Sequence, residues 1–185
     1  ISIDEGIHIS NWDVSLVTDM NLAFQGSAIF NQPLLNWQTS QVTNMHGMFA
    51  GATAFNQPLK TAWNQLGWNT ENVTDMSDMF NGAIAFNQRL AWDTTKVISM
   101  RSMFQNARCF DQDISHWITS KVKNMRGMFF GAIDFNGPLD GWNTIEVEDM
   151  SWMFSDATHF NQPLEWNVEN VKDMQRMFYG ATYFN

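Results

Sequence analysis

All 13 methionines of this 185-residue chain fall on two positions of one repeating frame. Met20, Met45, Met76, Met100, Met125, Met150 and Met174 open successive copies. Met48, Met79, Met103, Met128, Met153 and Met177 follow three residues later, and Ala23 takes that place in the first copy. A fixed period between about 20 and 50 residues gives each copy too little apolar surface for a core of its own, so each must bury its face against its neighbours. The chain is therefore read as one stacked repeat domain over 1–185, with copies starting near 11, 37, 68, 92, 117, 142 and 166.

The remaining columns assign a job to each part of a copy. Phe24, Phe49, Phe80, Phe104, Phe129, Phe154 and Phe178 lie four residues after the first Met, and Phe30, Phe55, Phe86, Phe110, Phe135, Phe160 and Phe184 lie ten after it. These are 14 of the 15 phenylalanines, so the rings belong to a core. Apolar residues at Met, +3, +4, +7 and +10 make one face of a helix or of tight helical turns. Gly26, Gly51, Gly82, Asn106, Gly131, Asp156 and Gly180 then accept a positive φ cheaply and read as a left-handed stop after a short helix. Asn31, Asn56, Asn87, Asp111, Asn136, Asn161 and Asn185 form a column whose side chains can satisfy backbone groups from one coil to the next. Each copy also has a Trp (Trp12, Trp37, Trp68, Trp92, Trp117, Trp142, Trp166) and, five residues on, a Val of a short strand pairing in parallel with its equivalents.

These features predict a right-handed, leucine-rich-repeat-like α/β solenoid of about six and a half coils. Short parallel strands occupy one face and short helical turns the other. The distance from Leu to the following Trp is two or three residues except between Leu59 and Trp68, where it is nine. The segment 60–67 is thus an insertion, expected to bulge as a surface loop because a register shift would misplace every later core residue.

Net charge is −9 with only 10 basic residues, which argues against nucleic acid and against an anionic membrane surface. No apolar run approaches a membrane span and no signal-peptide pattern opens the chain. The chain starts and stops partway through a copy, as a piece of a longer array or a mature processed form would. The single Cys109 reads as a buried, inert thiol, and the one sequon, Asn72-Val73-Thr74, as a chance match across a core Val.

The string Met-x-x-Met-Phe-x-Gly-Ala-x-x-Phe-Asn-Gln-Pro-Leu, carried here by Met45–Leu59 and joined to Trp37-Gln38-Thr39-Ser40-Gln41-Val42, resembles the repeat of the BspA-like leucine-rich-repeat family. The resemblance runs from about Asn11 to Asn185. It implies a surface-exposed or secreted protein, with adhesion to host or neighbouring-cell proteins as its role and no shared catalytic residues.

Chemistry is thin. His8, His46, His116 and His159 occupy four different frame positions, and no His pair has metal-ligand spacing. The carboxylate pairs Asp75/Asp78 and Asp111/Asp113 lack the glycine-rich calcium-loop pattern. No catalytic residues, metal or cofactor are expected, and the chain is not read as an enzyme.

Two sets of residues remain. Thr39, Thr70, Thr94, Thr119 and Thr144 form a column, either a hydrogen-bond ladder or a flat hydroxyl array for ordered water, ice or glycan. Phe130, Trp152 and Tyr179 are aromatic residues outside the core columns, in consecutive copies and on one side of the turn. A cluster of exposed Phe, Trp and Tyr has the composition of a protein-binding hot spot, unless it only stiffens the outer face or shelters under a missing C-terminal cap. The chain is thus expected to bind a protein partner, with end-to-end assembly through open coil ends as the alternative. The polar residue before each Met (Asp19, Asn44, Asp75, Ser99, Asn124, Asp149, Asp173) reads as a helix N-cap.

Overall fold

A computed structural model describes residues 8–59 and 67–185. Successive copies stack in register. Parallel bridges join Asp19 to Asn44, Asn44 to Asp75, Asp75 to Ser99, Ser99 to Asn124, Asn124 to Asp149 and Asp149 to Asp173. The polar column before each Met is therefore the hinge line on which the copies meet.

The expected α/β architecture, right-handed and leucine-rich-repeat-like, is overturned. Among the described residues the only helical segment is a 3-10 turn, Ile9–Asn11, and the bridges are isolated, with no strand or sheet around them. The reason lies in where each backbone N–H goes. The N–H groups of Met100, Ser102, Phe104 and Asn106 donate to the carbonyls of Asn124, Arg126, Met128 and Phe130 in the next copy, at 2.6–3.0 Å. Those of Met103, Gln105 and Ala107 donate three residues back, to Met100, Ser102 and Phe104, at 3.0–3.2 Å. Donors thus alternate between the neighbour and the local turn. An α-helix needs every one of them to reach back four residues.

Backbone handedness enforces this alternation. Leu22, Gly47, Asp78, Ser102, Gly127, Trp152 and Arg176, two residues after each Met, have φ between 52° and 62°. The Gly26 to Gly180 column, six residues after Met, has φ between 56° and 73°. The left-handed stop is present, but a second left-handed position four residues earlier ends the helix before it begins. Helical spacing of Met and Phe is produced instead by consecutive tight turns.

The expected Val strand fails for a related reason. The N–H groups of Val42, Val73, Val97, Val122 and Val147 close turns onto Thr39, Thr70, Thr94, Thr119 and Thr144, at 2.9–3.0 Å. A residue that spends its donor locally cannot join a ladder. The next residue can, and Thr43, Thr74, Ile98, Lys123, Glu148 and Lys172 each donate to the equivalent carbonyl one copy back or to its counterpart at 2.8–2.9 Å.

Packing between the copies is aromatic. The Phe rings four after Met stack at centroid spacings of 5.3–5.8 Å, and those ten after Met at 5.8–6.2 Å. Within each copy the two rings lie face to face at 3.8–4.3 Å. Trp37 to Trp166 add a third stack at 6.1–6.5 Å, while Trp12 is exposed. Both Met columns of the interior copies are buried beside them. Each aromatic pair adds about 0.5–1.5 kcal/mol beyond burial of its area.

Side chains complete the polar accounting. The Asn column works as expected: each Oδ1 accepts the N–H of its equivalent in the next copy, from Asn31 to Asn185, at 2.9–3.1 Å. Asp111 keeps the pattern because only an acceptor oxygen is needed. The polar residues before Met accept an N–H two residues on, as with Ser77 to Asp75 at 2.8 Å, so they cap turns and not helices. The insertion Lys60–Gly67, Gly67 apart, lies outside the described residues; its two ends meet, Trp68 N–H donating to the Leu59 carbonyl at 2.8 Å.

Candidate recognition surface

The Thr column is not a surface. Thr39, Thr70, Thr94, Thr119 and Thr144 are each 1% exposed. Their hydroxyls donate to the carbonyls of Asn69, Asp93, Ile118, Asn143 and Asn167 in the following copy, at 2.6–3.0 Å. A hydroxyl array for water, ice or glycan requires exposed oxygen atoms, and these are already spent. The ladder reading of this column is the one the structure carries.

The out-of-column aromatics come together on the outer side of the turns. Phe130 and Trp152 pack at 6.0 Å with their planes tilted by 58°. The Arg176 guanidinium lies 4.6 Å over the Trp152 ring and 5.6 Å from the centre of the Tyr179 ring, bridging the two. Tyr179 is 62% exposed, whereas Phe130 and Trp152 are half-buried because each covers part of the other. The result is one run, Phe130, Trp152, Arg176 and Tyr179, across three copies.

Trp152 owes its direction to the backbone. It sits at the left-handed position, with φ at 62°, and its N–H donates to the Gln175 carbonyl at 2.8 Å. A bulky residue rarely adopts this conformation. The neighbouring columns are filled by Phe129, Met153 and Phe154, all fully buried, so the indole is left to the outside.

A groove of about 240 Å³ opens beside this run, lined by Arg101, Ser102, Gln105, Arg126, Gly127, Phe130 and Trp152. Arg126 Nη1 donates to Ser151 Oγ at 2.7 Å, and Arg101 Nη1 stands 3.8 Å from Asp78 Oδ2. Sequence reasoning missed all three arginines. The available signal was positional: Arg176 holds the same frame position as Trp152, and Arg101 and Arg126 share the position just before it.

Several other polar groups are occupied in local structure. Asp75 caps Ser77, and Asp78 accepts from Asn81 Nδ2 at 2.9 Å. Asp111 serves the Asn ladder. Asp113 accepts from Ser115 Oγ at 2.7 Å and Ser115 N–H at 3.0 Å; these two bonds hold its carboxyl below the ordinary range. A hydrogen bond from Lys172 Nζ at 2.6 Å, reinforced by its charge, lowers Glu148 in the same way. His8 bonds Ser10 and Gln32, His116 reaches the Leu90 carbonyl at 3.2 Å, and His159 lies 3.5 Å from Asp134. Asn72 of the sequon donates its amide to the Ser40 carbonyl at 2.9 Å. Cys109, expected to be buried, is exposed. Among the described residues no helix is long and apolar enough to cross a membrane.

A family model described as "Mycoplasma protein of unknown function, DUF285" matches the chain three times, over residues 3–91, 61–163 and 90–185. No curated protein matches, and no solved structure does.

Proposed function

The chain belongs to the DUF285 repeat family, and from that premise we propose that it is a non-enzymatic recognition module, displayed at a cell surface or secreted, that binds protein through its outer aromatic run. The observation that carries the reading is the placement of Trp152 between Phe130 and Arg176, with Tyr179 exposed beyond them. Trp, Tyr and Arg are the residues that most often anchor protein interfaces. None of the four fills a core column. The motif's resemblance to BspA-like surface arrays supports the same role.

The experiment is capture of detergent-solubilised surface proteins on the immobilised chain, in parallel with Phe130→Ala/Trp152→Ala. A partner retained by the parent and released by the variant supports the reading. Loss of two anchors should weaken binding by about 2 kcal/mol or more, roughly thirtyfold. Equal retention by both removes the aromatic run from the interface.

A second reading, end-to-end assembly, rests on the polarity of the stack. In the turns that start at Met, each copy's N–H groups donate to carbonyls of the next copy, whereas residues before Met, such as Thr74 and Ile98, donate to the previous one. The N–H groups of Met174, Arg176, Phe178 and Gly180 would therefore meet carbonyls supplied by a following repeat or a second copy. Sedimentation over rising concentration separates the two readings. Growing particles favour assembly, and a constant monomer excludes it.

A further inference from the structure

Charge is distributed very unevenly along the stack. Residues 1–59 contain no Lys or Arg; residues 89–126 hold seven of the ten cations against three carboxylates; residues 127–171 hold eight carboxylates and no cation. Within the basic stretch, Arg101 and Arg126 occupy the same frame position in adjacent copies, where other copies have Asn21, His46, Ser77, Ser151 and Gln175. The Ser99–Asn124 bridge, two residues earlier, sets these copies in register, so the two arginines stand side by side. Both are exposed and both line the groove beneath Phe130 and Trp152.

Two positive groups lining one groove from neighbouring coils favour an anion placed near both. Arg126 Nη1 donates at 2.7 Å to the Ser151 hydroxyl of the following copy, which in turn donates to Asp149, and Arg101 stands 3.8 Å from Asp78 of the preceding copy, a spacing that leaves its other donors for a ligand. Gln105 adds an amide to the same wall. Forked donors beside an aromatic wall suit a carboxylate attached to an apolar group.

We propose that the Arg101–Arg126 groove receives an acidic segment of a protein partner, a carboxylate side chain entering between the arginines and an adjacent apolar side chain resting on Phe130 and Trp152. This rests on the aromatic-run reading and names the chemistry of its partner. A nucleic acid fits poorly. The basic pair is bounded by Asp75 and Asp78 on one side and by Glu146, Glu148 and Asp149 on the other, so a phosphate chain running along the stack meets carboxylates after two copies.

Fluorescence anisotropy tests this on the chain 1–185 with three labelled probes: a peptide alternating glutamate and phenylalanine, its glutamine–phenylalanine counterpart, and single-stranded oligothymidine. The acidic peptide should bind at least about tenfold more tightly than the glutamine peptide. Arg101→Gln/Arg126→Gln should abolish that preference, while Arg89→Gln, outside the groove, should keep it. No binding of the acidic peptide, or tighter binding of oligothymidine, overturns the proposal. Equal binding of both peptides, lost in Phe130→Ala/Trp152→Ala, overturns it while sparing the aromatic reading. An acidic-peptide affinity unchanged in Phe130→Ala/Trp152→Ala overturns the proposal as stated, because the aromatic run then takes no part in the groove.

Discussion

Ser102 shows how much one residue's φ decides. It holds φ at 52° two residues after Met100, where the neighbouring copies use Asp78 and Gly127. An L-residue pays about 1–2 kcal/mol for this conformation, which glycine avoids. Ser102→Gly should therefore raise stability by about 1 kcal/mol, seen as a shifted urea midpoint with unchanged slope. This left-handed column could not be read from the sequence. Its occupants are Leu22, Gly47, Asp78, Ser102, Gly127, Trp152 and Arg176, and only two are glycine. The column four residues later was legible because glycine, Asn and Asp fill it. At the same scale, Asp113 takes two hydrogen bonds from Ser115 that lower its pKa. A lowered carboxylate stabilises the native state above its ordinary value, and that contribution disappears as pH falls through the lowered one. Ser115→Ala should move Asp113 upward toward 3.8, as followed by carboxyl NMR titration.

Within a single coil, the insertion leaves a mark on the Trp stack. Trp37, Trp68, Trp117, Trp142 and Trp166 each donate Nε1–H to a carbonyl one or more copies back, those of Ile9, Leu34, Leu90, Ile114 and Leu139, at 2.9–3.3 Å. The matching acceptor for Trp92 is the Leu59 carbonyl at the root of the insertion, and Trp92 Nε1 is buried without a partner among the described residues. A buried unpaired donor costs about 1–3 kcal/mol, whereas a paired one contributes about 0.5–1.5 kcal/mol. Chemical denaturation should find Trp92→Phe neutral or stabilising and Trp117→Phe destabilising by about 1 kcal/mol or more. Equal losses would mean that the indole N–H groups play no such part. The coil's ladder chemistry was legible where one side chain does the work, as in the Asn column. Helix and strand were misread because apolar spacing reports which residues face inward, not how the backbone carries them there. Turns at three-residue intervals place Met and Phe on one side as a helix does.

Taken whole, the molecule is held by three aromatic stacks and two Met columns, with hydrogen bonds crossing every copy boundary. The stacked repeat itself was legible from the period, and so was the position of Phe130, Trp152 and Tyr179 outside the filled columns, although only Tyr179 of the three is exposed. The arginine groove was not. It depends on which coils lie side by side, and a net charge of −9 conceals the local reversal of sign at residues 89–126. On the proposed reading, the repeat separates a core of stacked rings from an outer aromatic face that meets a partner. The most direct measurement is the unfolding free energy of Phe130→Ala/Trp152→Ala beside that of Phe129→Ala, which is fully buried in the stack. Phe129→Ala should cost about 3–5 kcal/mol as a large-to-small core change, and the outward pair together clearly less, because their half-buried rings pack on each other and on Arg176 and empty no core column. If the outward pair proves as costly as Phe129→Ala, the face belongs to the core and the recognition surface is contradicted.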